Sequence, residues 1–242
     1  MPLPSIQNER GENMSSTEIS TEEYYVASID LLGMKNIIVS DIEGENLKSI
    51  RNIYKSWVRI FKDDYFANIK IRFFSDNVVI AIPTRYPNGA DRLLEKLGWL
   101  CGHLLKCGYK PRGAVTKGAF YIDDIFVWGS ALVDAYLLES KKAIYPRILI
   151  DEKVAVDASK HLSECLIFCD KEDGKRCLNY LRAFGGNATV WVSEISLSLE
   201  YINNEISDLE KSNENGDNNK VLRKLYWLKR YEEENLQFWK NR

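Results

Sequence analysis

Histidine is scarce in this sequence, with only His103 and His161 among 242 residues. A Ser-His-Asp or Cys-His hydrolase needs a histidine base, and a zinc site needs three or four nitrogen or sulfur ligands at close spacing. The five cysteines, Cys101, Cys107, Cys165, Cys169 and Cys177, are an odd number and contain no CxxC pair. The nearest approach to a ligand set is His161 with Cys165, Cys169 and Cys177. Small apolar side chains on strands and helices are the reading favoured over zinc. A basic excess is also missing, since 33 Lys and Arg face 35 Asp and Glu for a net charge of −2. Sequence-independent nucleic-acid binding needs a strong positive balance, so no nucleic-acid partner is expected. No apolar run approaches the roughly 18 to 20 residues of a membrane span. The first residues lack the basic-then-apolar pattern of a signal peptide. The expectation is a cytoplasmic chain without a membrane partner, whose chemistry falls to carboxylates, Lys, Arg and metal ions.

What is present is enough apolar material for a core, at 45% hydrophobic and 12% aromatic residues. Residues 1–20 are polar without a period and read as a flexible tail. Tyr24 to Leu32 reads as a buried strand. Leu47, Ile50, Ile53, Tyr54, Trp57, Val58 and Phe61 follow the three-and-four spacing of an amphipathic helix. "IKIRFFS" and "NVVIAIP" read as a hairpin turning tightly at Ser75-Asp76. A helix through Leu93 to Leu105, ended by Gly108, comes next. The strands "PRGAVTKGAFYI" and "IFVW" join near Asp123-Asp124. Gly129 opens a helix to about Lys142, "RILI" is a short strand, and 164–183 holds a further hairpin. The 192–209 stripe and Val221 to Phe238 predict two long helices that pair. The order gives an α+β fold with a ferredoxin-like split βαβ core, an antiparallel sheet with helices, and a C-terminal helical hairpin. The expected organisation is tail 1–20, a domain over 21–185 and helical extension 186–242.

"SIDLLGMKN" sets one acid, Asp30, at the end of an apolar strand, where a carboxylate needs compensation. Asp76 sits in the turn of the following hairpin. In a split βαβ sheet these strands are neighbours, so both carboxylates meet at one edge. Two close carboxylates repel unless they share a proton or a cation. With room for water and phosphate oxygens, such a pair suits Mg²⁺ or Mn²⁺. The bland alternative is that Asp30 caps a helix and Asp76 serves the turn. Gly33 allows close approach of backbone to a triphosphate.

"SIDLLGMKN", "IRFFSDNVVIAI" and "RGAVTKGAFYIDDIFVWGSALVDAYLLE" resemble, in order, three motif blocks of the class III nucleotidyl cyclases over about residues 22–182. The wording "IDLLG", "FSDN", "RGA", "GSALVDAYLLE", "AIYPRI" and "YWLKRY" is similar to a narrower group, the pyrimidine cyclases of the bacterial Pycsar anti-phage systems. The resemblance implies a class III cyclase fold and two metals, Mg²⁺ or Mn²⁺, on Asp30 and Asp76. It implies substrate contacts at Leu31, Leu32 and Gly33, and a catalytic role for Arg112. It also implies a homodimer with active sites at its interface, acting on a nucleoside triphosphate. The product is a cyclic nucleotide that activates a separate effector. UTP to cyclic UMP is the favoured reaction, with a cytidylate cyclase, a purine cyclase, an inactive nucleotide-binding regulator and a structural interaction protein as alternatives.

The departures from the family pattern are specific. Arg72 stands where purine cyclases keep a Lys that reads adenine, and Phe126 stands where that Lys has its Asp partner. Arg72 carries donors only, which suits carbonyl oxygens of uracil, O2 and N3 of cytosine, or O6 of guanine. The Asn-Arg pair of the helix after Gly129 falls on Val133 and Leu137, or with a one-residue slip on Asp134 and Leu138. Neither register has the pair. Tyr136 on that helix could stack on a base, although packing is the more ordinary role. Arg112 and Lys117, five apart on one strand, point to opposite faces, so at most one enters the site. Lys175 and Arg176 lie where the family often keeps a triphosphate lysine, with a solvated turn as the ordinary reading. Asp123 and Asp124 read as turn formers.

Overall fold

The computed structural model describes residues 19–62, 69–183, 187–213 and 216–242. The expected N-terminal tail lies outside them except for its last two residues. In chain order the elements are β1 (Glu22–Leu32), α1 (Met34–Ser40), α2 (Glu45–Lys62), β2 (Lys70–Phe74), β3 (Asn77–Pro83), α3 (Gly89–Lys106), β4 (Lys110–Ile122), β5 (Val127–Trp128), α4 (Ser130–Lys142), β6 (Ile148–Ile150), α5 (Glu152–Asp157), α6 (Lys160–Leu166), β7 (Ile167–Cys169), β8 (Arg176–Leu178), α7 (Ala188–Lys211) and α8 (Asn219–Lys240).

The sheet runs β2-β3-β1-β4-β6-β8-β7, with β5 attached to β4. All pairs are antiparallel except β4 with β6. The order β2-β3-β1-β4, with helices after β1 and after β3, is the expected split βαβ arrangement, and the chain is α+β. Strand alternation divides β1 between two layers. Tyr25, Ala27, Ile29 and Leu31 enter a core with α2, α3 and the two C-terminal helices. Tyr24 and Val26 face the other way, against Val79, Ala81, Phe120, Ile122 and Ala131 of α4. Gly129 permits this second layer. Its φ is 148°, and a Cβ there would lie 2.3 Å from the carbonyl oxygen of Ala119.

Most elements occur where the hydrophobic spacing put them. Three were not read from the sequence: α1, α5 and α6, of 7, 6 and 7 residues. Such helices are too short to show a period, and caps and packing hold them instead. Asp151 accepts from the Lys153 amide at 3.0 Å and Ser159 from the Leu162 amide at 3.3 Å.

The helices α7 and α8 pair, as their stripes predicted, and α8 is fixed by polar contacts as well as apolar ones. Arg147, fully buried, bridges Asp170 and Asp173, and the Trp227 indole donates to the same Asp170 at 2.7 Å. Glu232 of α8 is also fully buried. One of its oxygens accepts from Ser198 at 2.8 Å, and the other has no hydrogen-bond partner among the described residues. Burial pushes its carboxyl up to about 8, against the Ser198 hydrogen bond and Lys110. A carboxyl raised in the folded state favours folding most when protonated, below its unfolded pKa of about 4.3. That contribution is lost as pH rises through the folded value. Urea unfolding midpoints are therefore expected to fall between about pH 5 and pH 8. Glu232→Gln should flatten that fall and be the more stable protein at the upper end. An unchanged slope in the variant would assign the effect to another group.

Candidate active site

The antiparallel register makes Asp30 of β1 and Arg112 of β4 direct cross-strand partners. Directly opposed side chains on one face interact, and opposite charges there attract. Arg112 Nη2 donates to Asp30 Oδ2 at 2.6 Å. The same nitrogen lies 2.7 Å from Oε1 of Glu139 on α4. The exposures of the three side chains are 18% for Asp30, 22% for Arg112 and 5% for Glu139, so the cluster is screened from bulk water on the helix side. Burial raises the Glu139 pKa, Arg112 pulls it back, and Asp30 adds to the rise.

Asp76 lies at the same end of the sheet. The pairing of β1 with β3 runs up to Ile29↔Val78, so Asp30 and the Ser75-Asp76 turn follow at the ends of adjacent strands. Ser75 takes φ 56°, which closes the hairpin tightly. The Tyr54 hydroxyl of α2 senses both acids. It is raised above its ordinary value by burial first, then by Asp76, and also by Asp30. It is buried and has no hydrogen-bond partner among the described residues.

Carboxylate oxygens from Asp30 and Asp76 form a hard donor set. Among the described residues no group of three or more His, Cys, Asp or Glu side chains forms a cage. Two carboxylates with water and phosphate oxygens completing the shell is the usual way Mg²⁺ is held. Glu139 Oε1, though in ion-pair contact with Arg112 Nη2, and Arg112 Nε make no hydrogen bond among the described residues. The residues fit a divalent cation.

The remaining expected site residues divide. Gly33 has φ 84° and open space around its Cα, so its backbone is accessible, whereas the Leu31 side chain is spent in the core and Leu32 is half-buried. Lys117 points away from Arg112, as alternation required. It pairs with Asp157 at 2.8 Å and sits over the Tyr25 ring. Lys175 and Arg176 are taken up by Asp173 and Glu152. Tyr136 does not follow its packing reading. It is 58% exposed on the outer side of α4, with Val133 and Leu137. Phe126, 50% exposed, stacks on Trp128 at 6.0 Å between ring centroids.

Arg72 requires a correction of the turn-former reading. Asp123 is a turn former, accepting from the amides of Ile125 and Phe126 at 2.8 and 2.7 Å. Asp124 is more than that. Its carboxylate accepts from Arg72 Nη2 at 3.1 Å, while Arg72 also donates to the carbonyl of Asp123 and, at 2.9 Å, to that of Ile71. Arg72 therefore has an acidic partner, two residues earlier than the Phe126 position. Sequence reasoning also missed Glu139, although its spacing from Ala131 and Ala135 puts it on the buried stripe of α4. Lys224 of α8 gave no signal. It lies in the field of Arg112 and Asp30, its pKa lowered by burial and by Arg112 and raised by Asp30.

No family model matches the sequence, and no curated protein matches it. Solved structures with a similar chain trace include the catalytic core of a rhodopsin-guanylyl cyclase with converted specificity, in complex with ATPalphaS. That match has 15% identity and TM-score 0.49, covering 65% of this chain and 94% of that one. The adenylyl cyclase CyaB from P. aeruginosa matches at 16% identity and TM-score 0.46, over 66% of this chain and 95% of that one. The guanylate cyclase domain of RhGC from Catenaria anguillulae, in complex with GTP, matches at 15% identity and TM-score 0.49, over 64% and 93%. No helix among the described residues is long and apolar enough to cross a membrane.

The orphaned hydroxyl of Tyr54 gives a direct test of this geometry. Removing a buried unsatisfied group relieves a desolvation cost, so Tyr54→Phe should stabilise the protein by up to about 1 kcal/mol in urea unfolding. Trp57→Phe, which loses the 2.8 Å bond to His103, should destabilise it by about 1 kcal/mol or more. Destabilisation by Tyr54→Phe would show that the hydroxyl has a partner in solution.

Proposed function

We propose that this chain is a nucleotidyl cyclase that converts UTP to 3′,5′-cyclic UMP and pyrophosphate, as a second-messenger synthase in anti-phage defence. The observation that carries the reading is the placing of Asp30 and Asp76 at the same ends of the adjacent strands β1 and β3, with Arg112 held cross-strand on Asp30. The sequence likeness to pyrimidine cyclases supplies the substrate class.

Asp30 and Asp76 would hold the divalent cations, which when bound supply Lewis-acid stabilisation of the attacking 3′-oxygen and the phosphate charge. The exposed backbone at Gly33 is open to the triphosphate. Arg112 would turn to phosphate oxygens once its hold on Asp30 loosens, bringing a fixed positive charge to the charge that develops in transfer. No side chain is an evident general base. Positioning and electrostatics would do most of the catalysis, as is usual for phosphoryl transfer.

The exposed apolar band of Phe126, Trp128, Val133, Tyr136 and Leu137 supports a homodimer. Phe126 and Trp128 stack on each other, and a second copy would cover all five side chains. Residues 186–242 are read as an extension of the catalytic domain 21–185. The effector would be reached through the cyclic nucleotide alone.

Two observations favour second readings. Asp124 beside Arg72 adds an acceptor to the donors, which suits the amino group of cytosine and supports cytidylate cyclase activity. Val133 and Leu137 offer no transition-state cation on α4, which supports a nucleotide-binding regulator without activity.

The test is incubation of the purified chain with each of ATP, GTP, CTP and UTP and Mn²⁺, with products identified by mass spectrometry. A cyclic pyrimidine monophosphate is expected, absent in Asp76→Ala. Product from ATP or GTP alone would replace the substrate class, and no product from any nucleotide would favour the regulator. Trp128→Glu should convert a dimer to monomers in light scattering and lose activity with it. A monomeric wild type that is fully active would remove the interface from the site.

A further inference from the structure

The helix α4 rests on the sheet along a stripe of Ala131, Ala135 and Glu139, each four residues from the last. The two alanines let the helix come close, and Thr116 Oγ1 reaches the carbonyl of Ala131 at 2.7 Å. The third position of such a stripe is a place for another small or apolar side chain. Here it is a glutamate only 3% exposed. A buried carboxylate is costly unless it is paired. Glu139 is paired in charge, at 2.7 Å from Arg112, yet its Oε1 has no hydrogen bond, and Arg112 Nε has none either. One nitrogen, Arg112 Nη2, is thus shared between two carboxylates, with 2.6 Å to Asp30 on the other side.

That sharing has a consequence for any cation taken up by Asp30. A guanidinium and a divalent cation on one carboxylate repel each other, so the cation must weaken the Asp30–Arg112 pair. Without a second acid, the displaced guanidinium would be left half-buried and unpaired, and that cost would oppose cation binding. Glu139 is the acid that is already in reach.

We propose that Glu139 is a positioning residue that holds Arg112 when Asp30 takes a divalent cation, so that cation and arginine occupy the site together. This rests on the reading of Asp30 and Asp76 as cation ligands. In the structure Arg112 bridges the two acids. With the cation bound it belongs to Glu139, whose hydrogen bond to the guanidinium then forms, and its free face turns to the phosphates. Lys224 is the other cation near the cluster, and it has no comparable contact with Glu139.

The test measures Mn²⁺ binding to the whole chain by the electron paramagnetic resonance signal of free Mn²⁺, with folding checked by circular dichroism. Wild type, Asp76→Asn, Glu139→Gln, Arg112→Gln and the double variant Glu139→Gln/Arg112→Gln are compared. Glu139→Gln is expected to raise the Kd by about tenfold, because Arg112 then has only Asp30 to pair with. In the Arg112→Gln background the same change should alter the Kd by less than about twofold, since the competitor is gone. An equal rise in both backgrounds would make Glu139 a ligand itself and overturn the proposal, as would an unchanged Kd in Glu139→Gln. If Glu139→Gln does not fold, Glu139→Asp keeps the charge and withdraws it, and should raise the Kd in the same direction. An unchanged value there would also overturn the proposal. Wild type that binds no Mn²⁺, or binds it as well after Asp76→Asn, would bring down the metal reading and this proposal with it. A wild-type site lost in Asp76→Asn but indifferent to Glu139 would bring down this proposal alone.

Discussion

The antiparallel pairing of β1 with β4, from Glu22↔Phe120 to Leu32↔Lys110, is the constraint on which the rest of the structure depends. It fixes which residues of β1 face each layer, because a slip of one position would exchange the two sets. With this register, Ile29 and Leu31 enter the main core, and Asp30 comes opposite Arg112. β4 receives β6 in parallel at Gly113 to Val115 on its other edge, and it runs past the end of β1 at Tyr121 and Ile122, where β5 pairs and leads into α4. The Asp30–Arg112 pair of the candidate site is therefore a product of sheet register, not of loop conformation. Sites built on such elements hold their geometry more closely than sites on loops.

A second polar network lies beside β6, at the β7–β8 turn and on α8, next along the sheet from the Asp30–Arg112 pair, with the Gly113 amide donating to the Arg147 carbonyl at 3.0 Å. Arg147 has no solvent access, and its partners come from the β7–β8 turn, with the α8 indole of Trp227 on the same Asp170. Losing one member of a buried pair costs several kcal/mol, because the partner charge is left unpaired. Aromatic stacking continues the contact, with Tyr145, Trp227 and Tyr231 in near-parallel succession. The α8 helix is thereby held against the sheet with its Lys224 in the field of Asp30 and Arg112. α8 contributes to the electrostatics of the candidate site through Lys224 as well as to the core.

The long elements were legible because their apolar period is a local property. β1, the β2–β3 hairpin, α3 and the two C-terminal helices all carry that period over ten or more residues or end in a clear turn. The three short helices carry none, and the caps of α5 and α6, Asp151 and Ser159, are residue types that also occur in ordinary turns. Asp30 stood out because an acid in an apolar strand conflicts with its surroundings, and such conflicts between local pattern and residue type collect at functional sites. Glu139 is the same kind of conflict on a helix. Tyr54 gave no sign, since a tyrosine on an amphipathic stripe is ordinary core.

The sequence by itself determined the strands, the longer helices, the split βαβ order and the position of Asp30 and Asp76 at the ends of neighbouring strands. It did so because period, turn residues and connection length are written within a few residues of each other. Only the tertiary structure decided which partner each charge would have. Arg112 meets an acid 82 positions away in the chain, and Arg72 meets Asp124 across 52. Those distances are closed by register and packing, and a charged side chain carries no local mark of the residue it will face.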